Sequence, residues 1–459
     1  MARPSSHRYA CSPSSSASAP GDSGSTRGAC GRAVDARGGA PGGSRGSLAG
    51  RGGGGVLCAT PHTLSAVRVT GSADAMLAPA PLCRLNDPVR NDANIAARSI
   101  VKPLPPELFI ARDTNAETRW EAMAGQGTVT PTDRFFVRNH VSTPRIDART
   151  WRLRLWGSGL DGSPTEDRPV EFTYDELLAL PARTVTTAIE CTGTGRSFFE
   201  TQQNERVRGT PWTLGGIGVA TWRGVPLADL LHRAGLSPAA VDLMPRGLDP
   251  EFVDEGENMG RVRRPLPVAK ALDDVLVAYE MNGEPLPPDH GFPARLVVPR
   301  WVGIASIKWL GDIEVADHEL TSPWNTRYYR MFRPDLPAEG EVLTTMNVKS
   351  AFELPFPATL DAAAGREVTL TGRSWSGTGR VEHVEVSTDG GAHWAPARLD
   401  ERTDAWVLWS FPWRPPAPGG YALLARATDD TGRTQPDVEP HNGNGYLFGA
   451  VVRHPVTVT

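Results

Sequence analysis

Cysteine is scarce in this sequence, and its few cysteines are widely spaced. The chain of 459 residues has five cysteines, with no CxxC pair, no metal-finger spacing and no CxxCH segment. This spacing excludes a zinc finger and a covalently attached c-type haem, and it argues against a fold stabilised by disulfides. The five are Cys11, Cys30, Cys58, Cys83 and Cys191.

The sequence also lacks a long apolar run and a strong excess of charge. No stretch of about 18 apolar residues occurs, so we expect no membrane-spanning helix. The formal net charge of −4 indicates neither a nucleic-acid partner nor an acidic tail. The chain is long enough for two or three domains with sizeable cores. Its 48 Gly and 41 Pro predict many turns and a β-rich body.

The beginning of the chain is rich in Gly, Ser and Arg, as in the run Gly52–Gly55. Such a composition cannot bury enough apolar surface to fold, so we predict a disordered segment over residues 1–95. Met76 is an alternative start. No twin arginine followed by an apolar core is present. The absence of a legible export signal favours a cytoplasmic location and leaves a periplasmic one open.

An apolar, β-prone run leads directly into Cys191. We predict a strand over Val185–Ile189, and Gly193 and Gly195 then allow a tight loop that can approach a bulky ligand closely. Arg196 lies five residues beyond the cysteine, where a guanidinium lowers a thiol pKa and offers paired donors to an oxyanion. The residues alone leave two interpretations open, a functional thiolate and an ordinary buried cysteine.

Other charged residues lie at or near the ends of predicted strands. Asp249 follows one strand in a turn, and the acidic stretch Glu251–Glu257 after it is predicted to be a solvated loop. Ile304–Leu310 is predicted to be a strand that carries Lys308 among mostly apolar residues. A lysine in such a place either reaches the surface at an edge or pairs with a buried anion.

Short predicted strands dominate the sequence after about Pro337, whereas earlier we predict short helices at Tyr174–Leu180 and Leu227–Ala234. Turns that contain Gly or Asp separate most of these strands, which predicts an all-β sandwich of immunoglobulin size without the Cys…Trp…Cys signature. The strands are Glu367–Leu370, Val381–Ser387, Trp406–Pro412, Tyr421–Thr428 and Phe448–Val458.

A series of motifs follows in order along the middle of the chain. They are Phe136–His140, Glu190–Gly193, Gly195–Arg196, Leu248–Asp249, Ala278–Gly283, Asp289–Arg295, Ile307–Leu310, and Trp324 with Tyr329. Together they resemble the sulfite oxidase family of molybdenum-cofactor enzymes, in particular bacterial members without a haem domain. The resemblance implies an α+β molybdopterin-binding domain of sulfite oxidase type over 96–336, followed by an all-β immunoglobulin-like dimerisation domain over 337–459.

The resemblance also implies a role for each matching residue. Cys191 is expected to be the protein thiolate on molybdenum, which suits a soft ligand. The residues expected to hold molybdopterin and its phosphate are Phe136, Arg138, Asn139, His140, Asp249, His290, Arg295 and Lys308. Those expected to face the substrate are Arg138, Arg196, Trp212 and Tyr329. Buried phosphate needs Arg and Lys donors, and a small oxyanion needs guanidinium groups.

The implied activity is an oxygen-atom transfer that oxidises sulfite or a related sulfur oxyanion in a homodimer containing molybdenum and molybdopterin. Electrons are expected to pass to an external acceptor, either a cytochrome or oxygen. Two alternatives stay open: a reductase of the same fold, acting on a sulfoxide or nitrate, and a catalytically silent dimeric scaffold.

The sequence departs from the family pattern at three places. Thr194 stands where the family often has asparagine, and Tyr329 is flanked by Tyr328 and Arg330, so that the tyrosine is kept and the neighbouring charges differ. The segment His441–Tyr446 has no counterpart to an arginine that completes the sulfite pocket in animal and plant members. The third departure bears on the substrate more than on the cofactor.

Overall fold

The structure is a computed structural model that describes residues 95, 98–362 and 365–459. The predicted disordered segment therefore lies almost entirely outside the described residues, together with Met76 and the cysteines at positions 11, 30, 58 and 83. Within the described residues, no helix is both long enough and apolar enough to cross a membrane.

Short strands joined by loops and single helical turns make up the chain as far as Met331. The strands are β1 (Phe109–Arg112), β2 (Asn115–Thr118), β3 (Arg152–Trp156), β4 (Val170–Thr173), β5 (Arg183–Glu190), β6 (Ile217–Pro226), β7 (Asp242–Gly247), β8 (Phe252–Asp254), β9 (Glu257–Gly260), β10 (Leu266–Pro267), β11 (Leu276–Met281), β12 (Glu284–Pro285), β13 (Arg295–Val297), β14 (Leu310–Ala316) and β15 (Arg330–Met331). The α-helices are Tyr174–Ala179, Ser197–Gln203, Leu227–Arg233, Val268–Asp273 and Pro323–Thr326, and 3-10 turns occupy Trp120–Met123, Thr132–Arg134, Pro288–His290 and Gly303–Ala305.

Two larger sheets share the core of this part of the chain. One has the strand order β10-β7-β14-β3-β4, in which only β14 and β3 are parallel, and the other has the order β12-β11-β6-β5, with β13 also paired to β11. Leu153 and Leu155 of β3 are buried while the arginines between and before them are partly exposed, the period of two that a half-buried strand requires. They pack in one apolar cluster with Val277 of β11.

The chain from Glu341 onward forms a mostly antiparallel two-sheet arrangement. Its strands are β16 (Glu341–Val342), β17 (Lys349–Phe352), β18 (Ala358–Leu360), β19 (Val368–Trp375), β20 (Val381–Ser387), β21 (Ala395–Pro396), β22 (Arg398–Leu399), β23 (Val407–Trp413), β24 (Gly419–Asp429) and β25 (His454–Val458). The two sheets have the orders β17-β19-β23-β22 and β18-β25-β24-β20-β21. Side chains of both sheets, such as Leu370 and Val456, fill a common core, as in a β-sandwich.

The two parts of the chain meet through a shared apolar cluster. Phe199 and Ile217 from the first part pack with Trp375, Trp406 and Phe448 from the second, and all five are buried. Ala188 of β5 belongs to the same cluster, so the second part packs against the strand that leads to Cys191.

Three of the predicted elements differ from the observed ones. Ile304–Leu310 is not a strand: a 3-10 turn ends at Ala305, and Trp309 has a φ of 53°, a left-handed conformation that interrupts an extended chain. The predicted loop Glu251–Glu257 is a hairpin of β8 and β9. The predicted strand Phe448–Val458 begins only at His454.

Candidate functional site

Two adjoining clefts contain all of the residues that the sequence predicts for the site. The first, of about 720 Å³, is lined among others by Phe136, Arg138, Asn139, His140, Cys191, Asp249, His290, Arg295, Lys308 and Tyr329. The second, of about 1120 Å³, adds the remaining two, Arg196 and Trp212. Arg138, Cys191 and Tyr329 line both clefts, so the thiol lies where they meet.

Cys191 directly follows β5 and begins a tight loop. Its backbone amide donates to the carbonyl of Gly216 at 2.8 Å, and the amide of Gly193 donates to its Sγ at 3.4 Å. A Cβ at Gly193 would lie 2.5 Å from Nη1 of Arg196, closer than any side chain can approach. Glycine at this position therefore allows the arginine to fold back over the loop.

Two cations in the first cleft, buried Arg295 and partly buried Lys308, have no carboxylate in salt-bridge contact among the described residues. Nζ of Lys308 donates to the carbonyl of Asp289 at 2.8 Å and to the side chain of Asn139, and Nη1 of Arg295 donates to the carbonyl of His290 at 3.0 Å. Burial lowers the pKa of Arg295 to about 9, and burial together with that neighbouring charge lowers the pKa of Lys308 well below its ordinary value. A bound anion such as a phosphate would compensate both charges.

Two polar atoms buried in the same cleft lack a hydrogen-bond partner within the described residues. They are Oδ1 of Asp249 and Nε2 of His290. Burial raises the pKa of Asp249 to about 6, and burial also lowers the pKa of His290 well below 6.5, so this histidine is neutral at pH 7. Buried polar atoms cost stability unless a ligand or water pairs with them. The cleft therefore fits an anionic group that presents both donors and acceptors, as a pterin phosphate does.

Arg138 and His140 occupy the side of the first cleft nearest the second. Nη2 of Arg138 lies 3.2 Å from Nε2 of His140 and 3.3 Å from Oη of Tyr329, and Nε1 of Trp324 donates to the same imidazole nitrogen at 3.2 Å. Burial, and then the charge of Arg138, lower the pKa of His140 well below 6.5. The neutral imidazole therefore accepts hydrogen bonds at Nε2 and orients the guanidinium.

The second cleft is bounded by Arg196 and Trp212, both buried. Arg196 donates from Nε to the carbonyl of Asn444 at 2.9 Å and from Nη1 to that of Thr210 at 2.8 Å. Its third nitrogen, Nη2, makes no hydrogen bond to any described residue. The ring of Trp212 meets that of Phe136 edge-on, with 6.1 Å between centroids. One guanidinium nitrogen is thus left for a ligand.

A stack of four side chains backs the second cleft, and two of its members were missed from the sequence. The rings of Tyr329 and Tyr446 are 5.4 Å apart and 13° from parallel. The guanidinium of Arg196 lies 5.4 Å from the centroid of Tyr446, and that of Arg264 lies 5.7 Å from the centroid of Tyr329. Each tyrosine therefore combines ring stacking with a cation–π contact.

The missed residues differ in how visible they were in the sequence. Tyr446 lies in the segment that lacks the arginine expected there, and that departure from the family pattern could have drawn attention to the residue. Arg264 gave none, since nothing in the sequence distinguishes this buried arginine, which donates to the carbonyl of Trp324 at 2.6 Å, from exposed Arg261 nearby. Arg208, an exposed residue, lies at the edge of the second cleft.

Two protein-family models match the chain. The oxidoreductase molybdopterin binding domain matches residues 140–324, and the Mo-co oxidoreductase dimerisation domain matches residues 341–457. These matches lie inside the ranges 96–336 and 337–459 expected from the sequence, whose boundaries themselves stay a prediction. The dimerisation domain indicates a homodimer.

Curated relatives include oxidases and a reductase. The chain is 36% identical to mitochondrial sulfite oxidase of Homo sapiens over 371 residues, which are 76% of this chain and 65% of that protein. It is 35% identical to sulfite oxidase of Gallus gallus over 351 residues, 70% of this chain and 71% of that protein. It is 30% identical to an NADH nitrate reductase of Ulva prolifera, over 71% of this chain and 40% of that protein. The match thus spans less than two thirds of the human protein.

Among solved structures, the sulfane dehydrogenase SoxCD of Paracoccus pantotrophus is similar, with a TM-score of 0.62 and 27% identity over 82% of this chain and 92% of that chain. With the two family matches, this confirms the predicted fold class, the molybdenum–molybdopterin cofactor and an enzymatic role, which disfavours the silent scaffold. The chain belongs to the sulfite oxidase family of molybdenum-cofactor oxidoreductases.

Proposed function

We propose that this enzyme oxidises sulfite or a related small sulfur oxyanion and passes the electrons to an external acceptor. The observation that carries the proposal is a pair of guanidinium groups, those of partly buried Arg138 and buried Arg196, that line one cleft with Cys191. Guanidinium groups present paired donors to the oxygens of a small anion. In a buried site their charge is poorly screened, so it favours an anionic substrate strongly.

Each cofactor residue has a task in this proposal. Cys191 is the protein thiolate that binds molybdenum, Lys308 and Arg295 hold the anionic end of molybdopterin, and Asp249 and His290 pair with its polar atoms. When bound, the cofactor supplies the two-electron oxygen-atom transfer. The set is completed by residues that line the same cleft, namely Phe136, Arg138, Asn139 and His140.

The substrate residues bind and orient the anion. Arg196 contributes its free Nη2, and Arg138 is held in place by His140 and Tyr329. The buried ring of Trp212 restricts water beside the thiol. Because the guanidinium groups are fixed before substrate arrives, little reorganisation is needed when it binds.

A reductase is the second candidate, and the nitrate reductase relative is the observation that favours it. The same two guanidinium groups would bind nitrate as readily as sulfite, since both are small oxyanions. The anion site therefore does not distinguish the two functions, whereas the direction of electron flow does.

The experiment uses the purified holoenzyme with two sets of assays. We expect sulfite-dependent reduction of ferricyanide or cytochrome c, with the KM for sulfite raised at least tenfold in Arg196→Met. Arg208→Met, at the exposed edge of the same cleft, is the control and should change KM less than threefold. Nitrate- or sulfoxide-dependent oxidation of a reduced dye, without any activity on sulfur oxyanions, would overturn the oxidase in favour of the reductase.

A further inference from the structure

Residues of the dimerisation domain bind both side-chain oxygens of Glu190, the last residue of β5 and the neighbour of Cys191. Oε1 of Glu190 accepts a hydrogen bond from Nζ of Lys349 at 2.7 Å, and Oε2 accepts one from Nε1 of Trp375 at 3.1 Å. All three residues are buried, with exposed fractions of 1%, 6% and 0%. The strand that delivers the cysteine is therefore attached to the second domain by an ion pair that is shielded from water.

Lys349 also contacts the chain on the other side of the cysteine. The same Nζ donates to the carbonyl of Thr194 at 3.0 Å. One ammonium group thus holds the residue before Cys191 and the residue three positions after it. From another direction the backbone of Gly303 packs so closely that a Cβ there would lie 2.7 Å from the carbonyl oxygen of Glu190. The end of the strand has little room to move.

We propose that Lys349 is a positioning residue of the molybdenum site, which fixes the sulfur of Cys191 from within the dimerisation domain. This inference rests on the proposed function, because it takes Cys191 to be the metal ligand. A buried ion pair adds little net stability, since desolvation offsets the attraction between the charges. Its directional contacts instead hold the loop in one geometry, and groups that orient a metal ligand tune the metal itself.

A second buried ion pair provides a matched control. Nε of Arg373 lies 2.5 Å from Oε1 of Glu353, and the guanidinium donates to the carbonyls of Met123 and Gly127 at 2.9 and 2.6 Å. Both members of this pair belong to the second domain, and the two carbonyl contacts join it to the first. All four residues of the two ion pairs are buried. It makes no hydrogen bond to the loop that carries Cys191.

The test compares Lys349→Met with Arg373→Met in the holoenzyme. We expect Lys349→Met to change the Mo(V) electron paramagnetic resonance spectrum of protein reduced with titanium(III) citrate and to lower kcat at least tenfold, while KM stays within threefold. Arg373→Met should lower the melting temperature but leave the spectrum and kcat close to wild type. A wild-type spectrum and kcat in Lys349→Met would overturn the inference.

Removal of one partner leaves a buried charge, so Lys349→Met can fail to fold. In that case Glu190→Gln combined with Lys349→Met replaces it, since that pair carries no charge and still lacks the contact to Thr194. The same spectral change is expected, and its absence counts against the inference.

Cys191→Ser, measured in the same way, distinguishes a failure of the ligand assignment from a failure of the role proposed for Lys349. An unchanged Mo(V) spectrum in that variant would refute the ligand assignment and, with it, the basis of the inference. A changed spectrum in Cys191→Ser beside a wild-type spectrum in the lysine variant would refute only the role of Lys349. Reduction by titanium(III) citrate introduces no sulfur oxyanion, so both spectra are independent of the substrate.

Discussion

The ring of Tyr446 lies flat against the ring of Tyr329, with 5.4 Å between centroids and 13° between planes. Tyr329 has a φ of 55°, a left-handed conformation that bulky residues rarely adopt, and its amide donates to Oη of Tyr446 at 3.5 Å. The ring of Tyr446 also contacts the guanidinium of Arg196. The segment in which an arginine was expected thus contributes an aromatic ring that supports an arginine from elsewhere.

Replacing Tyr446 by alanine is expected to raise the KM for the oxyanion about tenfold, with a smaller change in kcat. The ring is a support for Arg196 worth about 0.5–2 kcal/mol, and without it the guanidinium loses its fixed orientation. Steady-state kinetics with the holoenzyme measure the effect. Tyr446→Phe keeps the ring and should stay within about threefold of wild type, so equal losses in both variants would contradict this role.

Lys308→Met is expected to yield protein with less than about one tenth of the wild-type molybdenum and pterin content. The substitution removes the ammonium of a partly buried lysine that would pair with the phosphate of the cofactor, and charge-assisted hydrogen bonds are among the strongest available. Metal analysis and fluorescence of the released pterin measure the content. Lys270→Met, which removes a pairing with Asp274 at 2.5 Å and a contact with the ring of Trp301, both outside the clefts, should retain the cofactor. Full cofactor content in Lys308→Met would exclude this lysine from the binding site.

Glu439 is expected to make stability depend on pH near neutrality. Burial raises the pKa of this carboxyl to about 7 from an ordinary 4.5, although the amide of Gly449 donates to it at 3.0 Å and Lys349 and Arg333 oppose the rise. The folded protein holds the proton more tightly than the unfolded chain. The contribution of Glu439 to stability is therefore fully present below about pH 4.5 and is lost as the pH rises to about 7. The difference between the two pKa values corresponds to about 3 kcal/mol in the free energy of unfolding.

Glu439→Gln should remove this pH dependence, because glutamine resembles the protonated acid and does not ionise. The free energy of unfolding in urea, measured at pH 4.5 and at pH 8, is expected to favour the variant over wild type by about 3 kcal/mol only at the higher pH. Glu367→Gln, at an exposed pairing with Arg414, should stay within about 1 kcal/mol at both values. Parallel pH curves for Glu439→Gln and wild type would contradict the assignment.

The sequence predicted elements well where one local pattern decided the structure. The strand Val381–Ser387 is observed over the predicted residues, and Val185–Ile189 lies inside β5. The helix predicted at Tyr174–Leu180 ends one residue earlier, and Thr173 and Glu176 form a capping box at its start. In each case the element is determined by residues within or next to it, either by hydrophobic alternation or by a helix-ending residue such as proline.

The sequence failed where distant parts of the chain impose the conformation. The left-handed Trp309 interrupts the apolar run that predicted a strand, and its indole donates to the carbonyl of Pro288 at 2.7 Å, a contact that no local pattern reveals. The roles of Tyr446 and Lys349 depend on how the second domain packs against the Cys191 loop. Motifs predicted residues that line the first cleft together, and their roles there stay a prediction. The contacts that support them between the domains required the structure.

The central claim is that Cys191 is the protein ligand of molybdenum, and X-ray absorption at the molybdenum edge tests it most directly. The measurement compares wild-type protein with Cys191→Ser, both loaded with cofactor. We predict one sulfur neighbour fewer around the metal in the variant, together with loss of sulfite oxidation. The same number of sulfur neighbours in both proteins would contradict the account.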